Sequence, residues 1–435
     1  SVITAVIEQA RARYRGLAEK VQVIFTKHLE AVGWPPAGRL ANADVFDHLV
    51  APRLQESGQR VAFFLVDALR YELGAALQQQ LSEDASVDVQ PAFAALPSIT
   101  AVGMASLLPG AGRELSVIRK EDGLVPALGS VAVANVIQRM DVLRKKFGDR
   151  FAEMGLSDFI RAKKELPKTV NLLVLRSVDI DSHLESNPET TLSLIHDTLK
   201  RIRVAAHKLA KAGFNDVVIA TDHGFFLNAQ AEAGDVCMKP AGSWLMVHDR
   251  CLLGDGTADS HSFVVSAEKV GVRGDFNQVA GPRSMAPYKA GLLYFHGGAS
   301  LQELVVPVLT AKLDPAGVPT LEQATVRLRY KAGATRITTR FPVVDVLLEG
   351  DMFSQASDFE ILLEAQDKKG NVVGEAKAGG LVNPTTGTVM LKPGAQVQVT
   401  IKMQMEFEGK FTLKALNPTT LAAYCSLDLE TDYTV

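Results

Sequence analysis

Cysteine is scarce and poorly placed for cross-linking: Cys237, Cys251 and Cys425 are the only three in 435 residues, and no two form a CxxC pair. That excludes a disulfide framework and a thiolate zinc site, and it predicts a reducing, cytoplasmic setting. A charge of one sign is lacking too. The formal net charge of −3 gives no general pull towards nucleic acid, although a local basic groove is compatible with it. No apolar run reaches the roughly 18 residues that span a bilayer, and nothing at the start resembles a signal peptide, so no membrane partner is expected. Internal repeats and low-complexity tracts are missing. The first residue is Ser1 rather than methionine, as expected of a piece of a longer polypeptide.

What the chain does have is apolar side chains, 47% of the total, enough for a water-soluble globular protein of two or three domains. From Val2 to about Leu29 they fall at helical spacing among Arg, Lys and Glu, which predicts an amphipathic helix. "GWPPAGRL" (33–40) breaks it. Four nearly unbroken apolar runs follow, at 61–66, 170–175, 217–220 and 291–295. They read as central parallel strands covered on both faces, and helical patterns lie between them, the longest stopping at Gly213. This alternation predicts an α/β doubly wound sheet. After "LDPAGVPT" (313–320) the period becomes two, as in "ATVRLRY" and "QVQVTIKMQM", which predicts a separate all-β, sandwich-like domain. The expected organisation is a helical segment (1–55), an α/β domain (56–315) with a cap around 235–290, and the β domain (316–435).

Ligand sites of open α/β sheets lie beyond the carboxyl ends of the strands. There the runs are followed by Asp67, by Asp179 with His183, by Asp222 and His223, and by His296. Each has a structural explanation when taken singly: a helix N-cap, a turn former, a satisfied loop histidine. Together, three acids and three histidines on one sheet edge are costly without a metal. His196 and His207 fit helix packing, and His28, His48, His248 and His261 lack the strand-end context. Carboxylate and imidazole ligands suit a pair of divalent ions such as zinc or manganese. A nucleophile is then needed, and "ALPSITAVGMASLLPG" (95–110) offers the hydroxyls of Ser98 and Thr100 where a short helix begins, a setting that favours an alkoxide and a phosphate.

With these residues assembled, the chain resembles the alkaline phosphatase superfamily over roughly Val61 to Pro307. "VDALRYE", "LPSITAVGMASLLPG" and "HGGASLQELVVPV" are similar to the PglZ domain of bacteriophage-exclusion (BREX) defence systems. The resemblance implies one metal on Asp67, Thr100, Asp222 and His223, and a second on Asp179, His183 and His296. Zinc is the first expectation and manganese the alternative. Thr100 becomes the bridging nucleophile in preference to Ser98, because it stands ten residues before the glycine of "LLPG", as in the family. The sulfatase pattern after the nucleophile is absent, and no asparagine matches the one that phosphodiesterase branches use. Arg70, Arg283 and Lys289 are candidate phosphate contacts, each with an ordinary surface or ion-pair role as the alternative. The function implied is metal-dependent hydrolysis of a phosphoester, a diester first, with nucleotides and nucleic acid among the candidate substrates, alongside other BREX proteins. The competing expectation is an assembly or nucleotide-sensing module with a structural metal.

Overall fold

A computed structural model describes residues 2–121, 123–186, 191–228, 235–314, 325–349 and 359–433. Six strands make the central sheet: β1 (Val61–Val66), β2 (Ser86–Phe93), β3 (Phe151–Gly155), β4 (Leu172–Ser177), β5 (Asp216–Ala220) and β6 (Val305–Lys312). Their spatial order is β2-β6-β5-β1-β4-β3. β1 lies parallel to β4 and β5, β3 is parallel to β4, and β6 runs antiparallel to both its neighbours. Successive residues of a strand point to opposite faces. Phe63 and Leu65 therefore enter one core with Val174 and Val218, while Ala62, Phe64 and Val66 enter another with Leu175 and Ile219. Both faces are covered, which is why these strands read as unbroken apolar runs.

The helices used below are α1 (Val2–Val32), α2 (Tyr71–Leu81), α3 (Thr100–Ser106), α4 (Val136–Phe147), α5 (Asp179–Ser186) and α6 (Thr191–Lys211). α6 ends as expected, at Gly213 with a φ of 80°. No helix among the described residues is long and apolar enough to cross a membrane.

The fourth apolar run is not a central strand. Only Tyr294–Phe295 are extended, and they pair with Phe226–Leu227 in a two-stranded ladder. The place beside β5 belongs to β6, which brings eight residues to the pairing with β2. An apolar run that ends in a two-residue ladder has the same composition as one covered by helices, so composition did not separate them. Within the expected cap, strands Gly242–Val247, Leu252–Gly256, Gln278–Pro282 and Ser262–Ser266 form a four-stranded antiparallel sheet in that spatial order.

The C-terminal strands make one curled nine-stranded sheet rather than two detached layers. Strand Gln396–Met403 pairs through its first half with Val343–Leu347 and through its second with Gly374–Ala376, so it bends from one side to the other. Val346, Ile361, Val399, Ile401 and Leu413 fill the interior of the curl. Ion pairs hold this domain to α6: Lys200 Nζ meets Glu375 at 3.0 Å, and Arg203 reaches Glu360 at 3.8 Å.

Candidate metal centre

The site forms where β1, β4 and β5 run out. Asp67 follows β1 and donates its N–H to the Ser177 carbonyl (2.8 Å). Ala68 then adopts a φ of 58°, a left-handed conformation that costs a residue with a Cβ about 1–2 kcal/mol. The turn aims the Ala68 N–H at Asp222 Oδ1 (3.1 Å) and the Leu69 N–H at Thr221 Oγ1 (2.9 Å). The ends of β1 and β5 are thereby tied together.

Asp222 and His223 are fully buried. Asp222 Oδ1 also accepts from the His223 N–H (2.9 Å), whereas Asp222 Oδ2 and Asp67 Oδ1 are buried without a hydrogen-bond partner. Gly103 lets α3 lie directly on Asp222: a Cβ there would stand 2.6 Å from the Asp222 Cβ. This contact brings Thr100 Oγ1 to 3.3 Å from His223 Nε2. Ser98, the other hydroxyl considered, is fully buried and donates to the Gly298 carbonyl (2.8 Å).

Each imidazole is oriented through its far nitrogen. His223 Nδ1 donates to the Gly224 carbonyl (3.0 Å) and His296 Nδ1 to the Ser98 carbonyl (2.9 Å), which leaves both Nε2 lone pairs free to ligate. The rings stack with centroids 3.9 Å apart. Two groups with ligand atoms within 4.8 Å of one another result: Asp67, Asp222 and His223, and Asp181, His223 and His296.

Burial raises the Asp67 carboxyl well above the usual range, and the charges of Asp222 and Asp181 add to this. Burial also raises Asp222 and Asp181, the latter against a hydrogen bond from the Tyr294 hydroxyl. The same desolvation pushes His223 and His296 down to about 3, so both rings are neutral. A buried cation on the acids' side is Arg139 of α4, which donates to the Ala134 carbonyl (3.0 Å) and lowers Asp67 slightly. Crowded carboxylates and neutral imidazoles with inward lone pairs are what a divalent ion requires, and two unpartnered buried carboxylate oxygens are ready acceptors for one. The residues fit the implied metal.

The structure thus brings Asp67, Thr100, Asp222, His223 and His296 together. Asp179 and His183 fall in neither group. Four residues apart, they share one face of α5, and Asp179 acts electrostatically on Asp197 of α6 and accepts from Ser177 Oγ (3.2 Å). Asp181, about 200° further round the helix, is the residue that turns to His296, with Oδ1 4.0 Å from Nε2. Of the three candidate phosphate contacts, Arg283 instead forks onto Glu30 of α1. Lys289 is exposed. Arg70 pairs with Glu72 (2.6 Å) and donates to the Phe225 carbonyl (3.3 Å). A cavity of about 610 Å³ lies beside the metal groups and has none of them in its wall; it is lined by Arg70, Phe226 and Phe295 and by Tyr14 and Arg15 of α1.

Three contributors lacked a strand-end signal. His248 leaves the antiparallel sheet and donates through Nδ1 to the His296 carbonyl (3.2 Å). Arg250 and Glu303, both fully buried, pair at 3.0 Å, and Glu303 also accepts from the Gly298 N–H (2.9 Å), bracing the loop that carries His296.

The family model described as the BREX system PglZ alkaline phosphatase-like domain matches residues 45–311. The chain belongs to the PglZ family. It is 24% identical over 399 residues to the "Alkaline phosphatase-like protein PglZ" of Bacillus cereus (strain H3081.97), an alignment covering 82% of this chain and 44% of that protein. To the "Alkaline phosphatase-like protein BrxZ" of Escherichia coli O9:H4 (strain HS) it is 22% identical over 293 residues, covering 64% and 33%. The chain therefore spans less than half the length of these PglZ relatives. Among solved structures, phosphonoacetate hydrolase from Sinorhizobium meliloti 1021, in complex with phosphonoacetate, matches with a TM-score of 0.38 and 12% identity, covering 61% of this chain and 92% of that one. The α/β assignment rests on the chain's own sheet order rather than on that likeness.

Proposed function

We propose that the chain is a metal-dependent phosphohydrolase, acting first on phosphodiesters, with Thr100 as its nucleophile. The observation that carries this reading is the Thr100 hydroxyl 3.3 Å from His223, the residue common to both ligand groups. Asp67, Asp222 and His223 would hold one divalent ion. Asp181 and His296 would share in holding a second, with Asp179 and His183 reaching it only if α5 turns. Zinc is the first expectation and manganese the alternative. Ions bound there would supply Lewis acidity, polarising the phosphoryl group and easing loss of the Thr100 proton. In the structure His223, neutral and fixed by Gly224, accepts the hydrogen of Thr100 and so sets the position of the hydroxyl; the same lone pair would pass to an ion when one is bound. Burial of Asp67 and Asp222 excludes water behind the nucleophile. The four-stranded sheet of the cap region, which delivers His248, is the element suited to selecting the substrate, a nucleotide or nucleic acid among the phosphoesters. Other BREX proteins are the partners this family points to.

The test is hydrolysis of bis(p-nitrophenyl) phosphate by metal-loaded chain, with metal content measured in parallel. Thr100→Ala should retain metal and lose about 10³-fold or more in rate. A wild type that takes up no metal, or that is matched by Asp222→Ala, overturns the reading. The exposed apolar face of α1 favours the second reading, an assembly or nucleotide-sensing module with a structural metal. Phage defence that survives Thr100→Ala but not removal of the β domain would support it.

A further inference from the structure

α1 carries two faces with different fates. Ala18, Gln22, Thr26 and Leu29 are buried against the α/β domain, where Gln22 donates to the Ala299 carbonyl (2.8 Å). A second stripe runs Ile3, Ile7, Ala10, Tyr14, Leu17, Val21, Ile24, His28 and Ala31, alternating steps of three and four without a break. That is the a/d spacing of a left-handed coiled coil, sustained along a helix of 31 residues, about 46 Å at 1.5 Å per residue. Yet this seam is open. Ile3 is 72% exposed, Tyr14 and Leu17 are 62% and Ile24 is 67%, and residues 3–14 are exposed on every side of the helix.

The residues flanking the seam say what would cover it. With Ile7, Tyr14 and Val21 at a, the e row turns Ala18 and Phe25 to the domain and Arg11 to the cavity wall, while the outer g row carries Arg13, Lys20 and Lys27, all basic. The acids of the helix, Glu8, Glu19 and Glu30, lie at outer positions away from the seam. In an antiparallel second copy of α1, g faces g and these bases would oppose bases; in a parallel copy they would meet Ala18 and Phe25, which already pack on the domain, or Val32, so neither arrangement offers them an acid. Complementarity requires acids opposite them.

We propose that the outer face of α1 is a coiled-coil docking seam for an acid-flanked amphipathic helix of another protein. The partner carries apolar residues at a and d and Glu or Asp at its own e and g positions. The occupied seam removes a run of large apolar side chains from water, and the flanking ion pairs fix which helix is accepted.

Two labelled 28-residue helical peptides test this, identical in their Leu/Ile a and d positions, one with Glu and the other with Lys at e and g. Fluorescence anisotropy against the full chain should show binding of the Glu peptide and at least ten-fold weaker binding of the Lys peptide, the difference shrinking in 0.5 M salt. Leu17→Glu with Ile24→Glu should abolish binding. The charge reversal Lys20→Glu with Lys27→Glu leaves the apolar seam intact and should shift preference towards the Lys peptide. Equal binding of the two peptides, binding of neither, or a chain dimer in sedimentation that Leu17→Glu dissociates would overturn the proposal, the last by identifying a second copy as the occupant.

Discussion

The crowding of Asp67 against Asp222 leads to a prediction with an unusual sign: removing a buried acid should stabilise the metal-free protein. At neutral pH, folding keeps both carboxylates in a dry pocket with one oxygen each unpartnered. Asp67→Asn substitutes an amide that can donate to Asp222, and relief of one such group is worth about 1–3 kcal/mol. At about 2–4 °C per kcal/mol for a domain of this size, Tm in chelator should rise by about 2–12 °C. Because folding raises the Asp67 pKa, the penalty is absent below the unfolded value near 3.8 and grows as pH rises towards the folded value. The variant's advantage should therefore be larger at pH 7 than at pH 4. Zinc should reverse the order. At a hundred times its dissociation constant an ion adds about 2.7 kcal/mol to the wild type, or about 5–10 °C, and much less to the variant. Differential scanning fluorimetry with chelator and with zinc measures all four values. A variant less stable than wild type in chelator, or a wild type with no zinc shift, would refute the reasoning.

Three further outcomes follow from other contacts. Asp181→Asn should lower metal content by about one ion per chain, while Asp179→Asn should leave it unchanged, as measured by atomic emission. Arg250→Met strands the fully buried Glu303 and should cost about 3–5 kcal/mol in urea denaturation, with Glu303→Gln costing less because its amide still meets the Gly298 and Ser300 groups. Burial raises Asp84, but its contacts with His207 (2.7 Å) and Arg203 (2.6 Å) outweigh this and leave its pKa lowered. Its contribution is present above the unfolded value near 3.8 and is lost as pH falls through the lower folded one, so the cost of Asp84→Asn, about 1–3 kcal/mol at pH 7, should shrink progressively in urea melts taken below pH 3.8.

The parts of the site visible in the sequence are those that depend on a strand ending. Asp67, Asp222 and His223 follow runs that both cores cover, so period and position located them together. The start of a short helix pointed to the hydroxyls of Ser98 and Thr100 alike, and only the family's spacing to Gly110 favoured Thr100. What stayed hidden depends on rotation and on distant segments. Asp179, Asp181 and His183 lie within one and a half turns of α5, and only the phase of that helix against His296 decides which acid turns inward. Arg283 looked available for phosphate until α1 brought Glu30 to it. His248 arrives from an antiparallel hairpin, where no strand-end rule applies. The run at 291–295 misled because its composition matches that of a central strand, although only Tyr294 and Phe295 are buried, in a short ladder with Phe226 and Leu227.

The single lone pair of His223 Nε2 has a consequence of its own. It belongs to both ligand groups, and it can coordinate only one ion at a time. Whichever half of the centre claims this ring, the other is left short of donors. In the two-ion centre proposed above, the half without this ring would finish its coordination sphere with Asp179 and His183 or with atoms from outside the polypeptide. Structural metal sites are closed by protein ligands, whereas catalytic ones keep a vacancy. A contested imidazole builds that vacancy into the chain itself, in the place where an oxygen of an incoming ester would be welcome.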